Sequence, residues 1–343
     1  APAIAEPAAA EPAPAEPAPI ESAPAAQENA PAVQATTTPA EPAASEPAPS
    51  EPDDAPVVQP TAAPTQDADP KITASPGQGL TLDVGDVFSL NLRTRLQLRY
   101  QLDVSAEDAS GDRELDQLVN ISTARLWISG HAYSRELTYM IQLAFAGRDF
   151  RDGATSPIFD AYIDWKASRD LGVRAGQFFV AFDRLRTVRE WALQMADRPQ
   201  PVQELTLDRD VGVMFYSDHF LGDESPLAWR LGAFGGGGTN LVMGREPGAL
   251  VVGRLELRPL GPLDDDREGD LSRRQKPGLA LGAALGRNWN TNRARSTTGA
   301  TFVGGTTDFL HAALDAVFKY RGFAAQAEYL WREASSDAIV SVD

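Results

Sequence analysis

From Phe88 onward the chain alternates. Leu90, Leu92, Leu96, Leu98 and Tyr100 fall on one parity, and Ser89, Asn91, Arg93, Arg95, Gln97, Arg99 and Gln101 on the other. Strict period two over such a stretch dictates a β-strand with one apolar and one polar face. Three arginines on the polar face suit water rather than a packed core. The pattern returns at 119–133, 136–146, 158–166, 171–180, 209–217, 227–235, 249–258, 278–288, 309–320 and 323–333, which makes eleven expected strands. In 309–320, for example, Leu314, Ala316, Phe318 and Tyr320 oppose Asp315 and Lys319. Many of these runs reach the ~9–11 residues that a tilted strand needs to cross a bilayer. Short connectors (Ser134-Arg135, 167–170, Arg321-Gly322) alternate with longer ones, as periplasmic turns and outer loops do in an outer-membrane barrel. Tyr100, Trp165, Tyr320 and Trp331 fall near strand ends, where interfacial aromatic girdles lie. The expected fold class is therefore all-β, a transmembrane antiparallel β-barrel. A soluble β-sandwich is the alternative. No apolar run reaches the ~18 residues of a membrane-spanning helix.

The first part of the sequence is a different polymer. Residues 1–70 hold 17 of the 26 prolines and none of the aromatic residues, so they cannot bury a core. They repeat Glu-Pro-Ala, as at Glu6-Pro7-Ala8 and Glu46-Pro47-Ala48. Proline breaks helix every few residues and like charges repel, so an extended, partly polyproline-II chain is expected. The division is 1–75, a disordered Ala/Pro/Glu-rich periplasmic tether, and 76–343, the barrel. The tether reads either as a solvated linker or as a spacer that engages peptidoglycan. Residues 1–75 carry 12 acids and one lysine, and the remainder 36 acids and 30 bases. A net-acidic chain without a basic tract argues against nucleic acid as a partner. The absence of cysteine excludes disulfide frameworks, thiol catalysis and thiolate metal sites. The opening Ala-Pro-Ala, with neither Met nor a basic leader, reads as a processed exported chain.

In the barrel region 27 of 30 bases are arginine, whose planar fork matches phosphate or carboxylate oxygens. By parity Arg93, Arg95, Arg99, Arg125, Arg174, Arg254 and Lys319 face the lumen, where basic rings favour anions. Asp160, Asp164, Glu256, Asp315 and Glu328 share that face, so cross-strand ion-pair ladders compete with solute binding. The connector 183–208 holds Arg184, Arg186 and Arg189 with Trp191 at helical spacing, and Leu185, Val188 and Ala192 opposite. A helix there would turn a basic face into the lumen or pack on the rim. These ten basic residues are the candidate pore-lining, anion-binding set. No catalytic residue, metal site or cofactor is expected: the chain has three histidines and no Gly-x-Ser-x-Gly, Ser129 and His131 are too far apart along a strand, and Gly235–Gly238 lacks a following Lys-Ser/Thr.

Three stretches give a resemblance to a known family. Arg174-Ala175-Gly176-Gln177-Phe178-Phe179-Val180-Ala181-Phe182 resembles the Gly-Gln-x-x-x-Pro-Phe strand end of the phosphate-selective porin O/P family, with Ala181 in place of the proline. Met195-Ala196-Asp197-Arg198 followed by Arg209-Asp210-Val211-Gly212-Val213 resembles its Glu-Arg segment and Arg-x-x-Gly-Val strand start. Lys319-Tyr320-Arg321-Gly322-Phe323 with Glu328-Tyr329 resembles its Tyr-x-Gly-Phe hairpin. The resemblance spans about 85–335. It implies a sixteen-stranded barrel, a homotrimer in outer-membrane lipid, a third loop that folds inward and narrows the channel, and passive uptake of small anions such as phosphate or polyphosphate. On that pattern the C-terminal strands are expected beyond this sequence; a twelve-stranded barrel beginning its last strand at Ala338–Asp343 is the alternative. A structural barrel tethered to the cell wall through the acidic arm is the second functional reading.

Overall fold

The computed structural model describes residues 69–335 except 106–112, 114, 151–155, 196, 241–247, 265, 266 and 303. The expected tether up to residue 68, and Ala338–Asp343, lie outside the described residues. Strands β1 (Lys71–Ser75), β2 (Gly79–Val84), β3 (Phe88–Val104), β4 (Leu115–Ala132), β5 (Ser134–Ala144), β6 (Ile158–Ser168) and β7 (Leu171–Phe179) follow one another in space as in sequence. The sheet continues through β8 (Arg209–Ser217), β9 (Leu227–Phe234), β10 (Ala249–Leu257) and β11 (Gly278–Thr291). A small hairpin, β12 (Arg293–Arg295) and β13 (Thr298–Thr301), then interrupts the order before β14 (Thr307–Tyr320) and β15 (Phe323–Ala334).

The main sheet thus has thirteen strands, not eleven, and every pairing in it is antiparallel. The two additional strands are β1 and β2, and β1 falls inside the segment assigned to the tether. They are too short to show alternation, and turns at Gly77 (φ 77°) and Gly85 (φ 62°) fold them back on β3. Gly79 is required there, because a Cβ would lie 2.1 Å from the Leu92 carbonyl oxygen. The β4–β5 turn is Tyr133 (φ 65°) rather than Ser134-Arg135, since Ser134 already belongs to β5. Arg321-Gly322 (φ 51° and 91°) does form the expected β14–β15 turn.

Burial follows parity, inverted relative to a soluble protein. On the outward face Leu98 is 72% exposed, Leu255 59%, Leu285 67% and Leu314 56%. On the inward face Arg125, Asp160, Asp164, Arg209, Arg254, Glu256, Asp315 and Lys319 are all buried. A β-sandwich buries its apolar faces against each other, whereas a sheet in hydrocarbon turns them outward and satisfies its backbone laterally. The outward leucines therefore identify the wall of a transmembrane β-barrel. The wall curls around the segment between β7 and β8, which touches β3 and β4 on one side and β10, β14 and β15 on the other.

Candidate functional site

The β7–β8 segment enters the lumen on an apolar seat. Val180, Phe182 and Leu207 are fully buried, or nearly so, in a cluster with Leu250 and Val252 of β10, Ala284 of β11 and Ala313 of β14. Asp183 then caps the four-residue helix α1 (Arg184–Thr187), accepting from the Arg186 amide at 3.1 Å and from the Thr206 hydroxyl. The tip is fixed by charge. Arg184 Nε donates to Asp315 Oδ1 at 2.7 Å, and Arg254 Nη2 lies 2.6 Å from Asp315 Oδ2. Arg254 Nε donates to Glu256 at 2.8 Å, and its Nη1 to the Phe182 carbonyl at 2.6 Å. Glu328 Oε1 accepts from the backbone amides of Arg184 and Leu185 at 2.8 and 2.7 Å. This latch ties the loop to three strands of the wall.

Past α1 the chain crosses towards β3 and β4. Val188 leaves the helix with ψ 130°, and Glu190–Ala192 form a single 3₁₀ turn, so the arginine run does not share one helical face. Trp191 meets Trp127 of β4 edge-on at 6.3 Å between centroids. The guanidinium of Arg95 lies 4.4 Å from the Trp191 centroid and that of Arg189 5.2 Å. A second helix, α2 (Gln200–Leu205), returns the chain to β8. Between this loop and the wall lies a cavity of ≈ 200 Å³ lined by seven arginines: Arg95, Arg125, Arg174, Arg186, Arg189, Arg198 and Arg209.

Four of the seven are held by carboxylates. Arg125 binds Asp149 through both Nη atoms, Arg174 Nε binds Asp164 at 2.6 Å, Arg186 binds Asp208, and Arg209 binds Asp160 at 2.8 and 3.2 Å. The described contacts of the other three are of a different kind. Arg95 reaches the Gln97 amide oxygen at 3.3 Å as well as the Trp191 ring, Arg189 stacks on that ring, and Arg198 donates to loop carbonyls, with Leu185 at 3.0 Å.

Of the ten expected residues, seven from strand parity and three from the connector, Arg95, Arg125, Arg174, Arg186 and Arg189 converge on the cavity. Arg93 lies beside it, over Trp127 at 5.5 Å. Arg99 is farther along β3, facing Asp197 at 3.6 Å. Arg184 and Arg254 form the latch, and Lys319 donates to the carbonyls of Asp264 and Arg267 at 2.6 and 2.5 Å, under the β10–β11 connection. Ser129 and His131, set aside as too far apart to act as a catalytic pair, share no hydrogen bond among the described contacts. His131 Nδ1 instead meets the Ser89 hydroxyl at 2.7 Å and Nε2 meets the Gly85 carbonyl at 3.1 Å, both across from β4. Arg198 and Arg209 were not in the expected set, although both lie in the stretches that carry the family resemblance. Trp127 was legible as an inward residue from its parity with Arg125.

Burial pushes the Asp183 carboxyl up to about 6 from 3.8, against the lowering effects of the Thr206 hydrogen bond and the Arg186 charge. The folded loop therefore holds this proton more tightly than the unfolded chain does. Its contribution is fully present below about pH 3.8 and is lost as pH rises through about 6. Loop-dependent current fluctuations are expected to be quieter at pH 4 than at pH 7 in the native chain. In Asp183→Asn, which keeps a capping side chain, the pH response should be smaller over that window; an unchanged pH response in the variant argues against Asp183 as a source.

No protein-family model matches the chain. No curated protein sequence matches it either. Among solved structures, an anion-selective porin from Comamonas acidovorans matches with 13% sequence identity, covering 72% of this chain and 80% of that one, at a TM-score of 0.30.

Proposed function

We propose that the chain forms a water-filled channel in the bacterial outer membrane for passive uptake of small anionic solutes, narrowed by the inward loop between β7 and β8. The observation that carries this reading is the arginine-lined cavity between that loop and the wall. Counting its lining residues and their ion-pair partners, seven guanidinium groups face the carboxylates of Asp149, Asp160, Asp164, Asp208 and Glu190, a surplus of two positive charges. A net positive constriction lowers the barrier for anions and raises it for cations. Membership of the phosphate-selective O/P family, assembly as a homotrimer, transport of phosphate or polyphosphate, and a periplasmic position for residues 1–70 beside peptidoglycan belong to this proposal through the sequence resemblance.

The test is the reversal potential across a planar bilayer in a potassium chloride gradient. The native channel should prefer chloride. Replacing Arg95 and Arg189 together with Ala should shift the potential towards cations, because the carboxylates of the cavity remain. The same pair of changes with no effect on the potential would remove the cavity from the conduction path.

A further inference from the structure

We propose that the cavity beneath Trp191 is a binding site for an aromatic monocarboxylate, an anion of the benzoate type, a proposal that rests on the anion-channel reading above. The walls of the cavity are rings and guanidinium planes in contact with one another. Arg125 lies 4.3 Å and Arg209 3.7 Å from the Phe159 centroid, and Arg95 lies 4.4 Å from that of Trp191, all lining the same cavity. A hydrated inorganic oxyanion gains nothing from ring faces. A flat aromatic ring gains from both components, edge-to-face against tryptophan and stacked on guanidinium.

The two indoles meet edge-to-face at 87°, and both line the cavity. Trp127 is held in the wall at 5% exposure, while Trp191 is 50% exposed. Arg189, stacked on Trp191, lines the same cavity and supplies a planar fork for the carboxylate.

Arg125, Arg174, Arg186 and Arg209 already hold carboxylates, which leaves the surplus of two positive charges for a bound anion. That surplus suits a phosphate dianion as well as a monocarboxylate, so the ring faces, and not the charge, separate the two classes. A ring carrying one carboxylate satisfies both the charge and the walls.

The experiment uses the full chain in planar bilayers, with inhibition of chloride current by benzoate, cyclohexanecarboxylate and phosphate. Benzoate should half-inhibit at a concentration about tenfold lower than either of the other two. Trp191→Leu should bring benzoate to within about twofold of cyclohexanecarboxylate, and Trp191→Phe should retain most of the difference. Calorimetric titration of the purified chain with benzoate and with phosphate gives the same ranking without reference to current. Phosphate binding as tightly as benzoate, or benzoate inhibition unchanged by Trp191→Leu, overturns the proposal and leaves the anion channel standing. Cation preference of the native channel overturns the channel reading instead, and the calorimetric ranking then decides the site on its own.

Discussion

Arg184→Met is expected to raise single-channel conductance by about twofold or more and to add slow current fluctuations, because it removes the charged contact that pins the loop to β14. The variant suits the test because it leaves no bare acid. Asp315 keeps Arg254 at 2.6 Å, and Glu256 keeps Arg230 and Arg258 at 3.3 and 2.9 Å. Removing Asp315 would instead take the nearest carboxylate from two buried guanidinium groups at once, and breaking a buried pair in that way costs ~3–5 kcal/mol. Loss of even ~1.4 kcal/mol from the latch multiplies the released population tenfold. Conductance and noise identical to the native channel would show that the Arg184–Asp315 contact is dispensable, and that the apolar seat with the Glu328 and Arg254 hydrogen bonds to the loop backbone holds it in place.

Leu314→Arg should destabilise the folded chain in lipid vesicles by ~2–4 kcal/mol, the cost of arginine on the lipid face near the bilayer midplane. Leu314 sits mid-strand, paired with Ala283 and Tyr329, and points outward. On a soluble sheet an exposed leucine of this kind exchanges for arginine within about ±0.5 kcal/mol. Urea titration in vesicles reads the difference directly. A midpoint unmoved from that of the native chain would contradict a lipid-facing wall.

The wall was legible because alternation is a local property. The outward leucines of β3, β10 and β14, the outward aromatic residues of β15 and the inward charges on the opposite face could be read two residues at a time. What parity does not encode is which inward residues meet across the lumen. Leu250 and Val252 share a face with Arg254 and blur the alternation of β10, yet they are the seat on which Phe182 and Leu207 rest. Arg184 and Arg186 are two residues apart and look equivalent in sequence, but one reaches Asp315 and the other Asp208. The helix expected from the arginine spacing in the 183–208 connector ends after one turn, since Val188 is drawn inward and turns extended. Strands β1 and β2 escaped notice because five and six residues are too few for periodicity to stand out.

The latch also fixes an order of events during folding. Nearly every strand of the wall pairs with its neighbour in sequence, so the sheet can grow by successive hairpins, each closing a short loop. The contacts of Arg184 with Asp315 and Glu328 close 131 and 144 residues of chain. They cannot exist until β14 and β15 have taken their places, long after β7 and β8 have been laid down. The latch is therefore completed only when strands from distant parts of the chain stand side by side, whereas the hairpins of the wall need only their sequence neighbours.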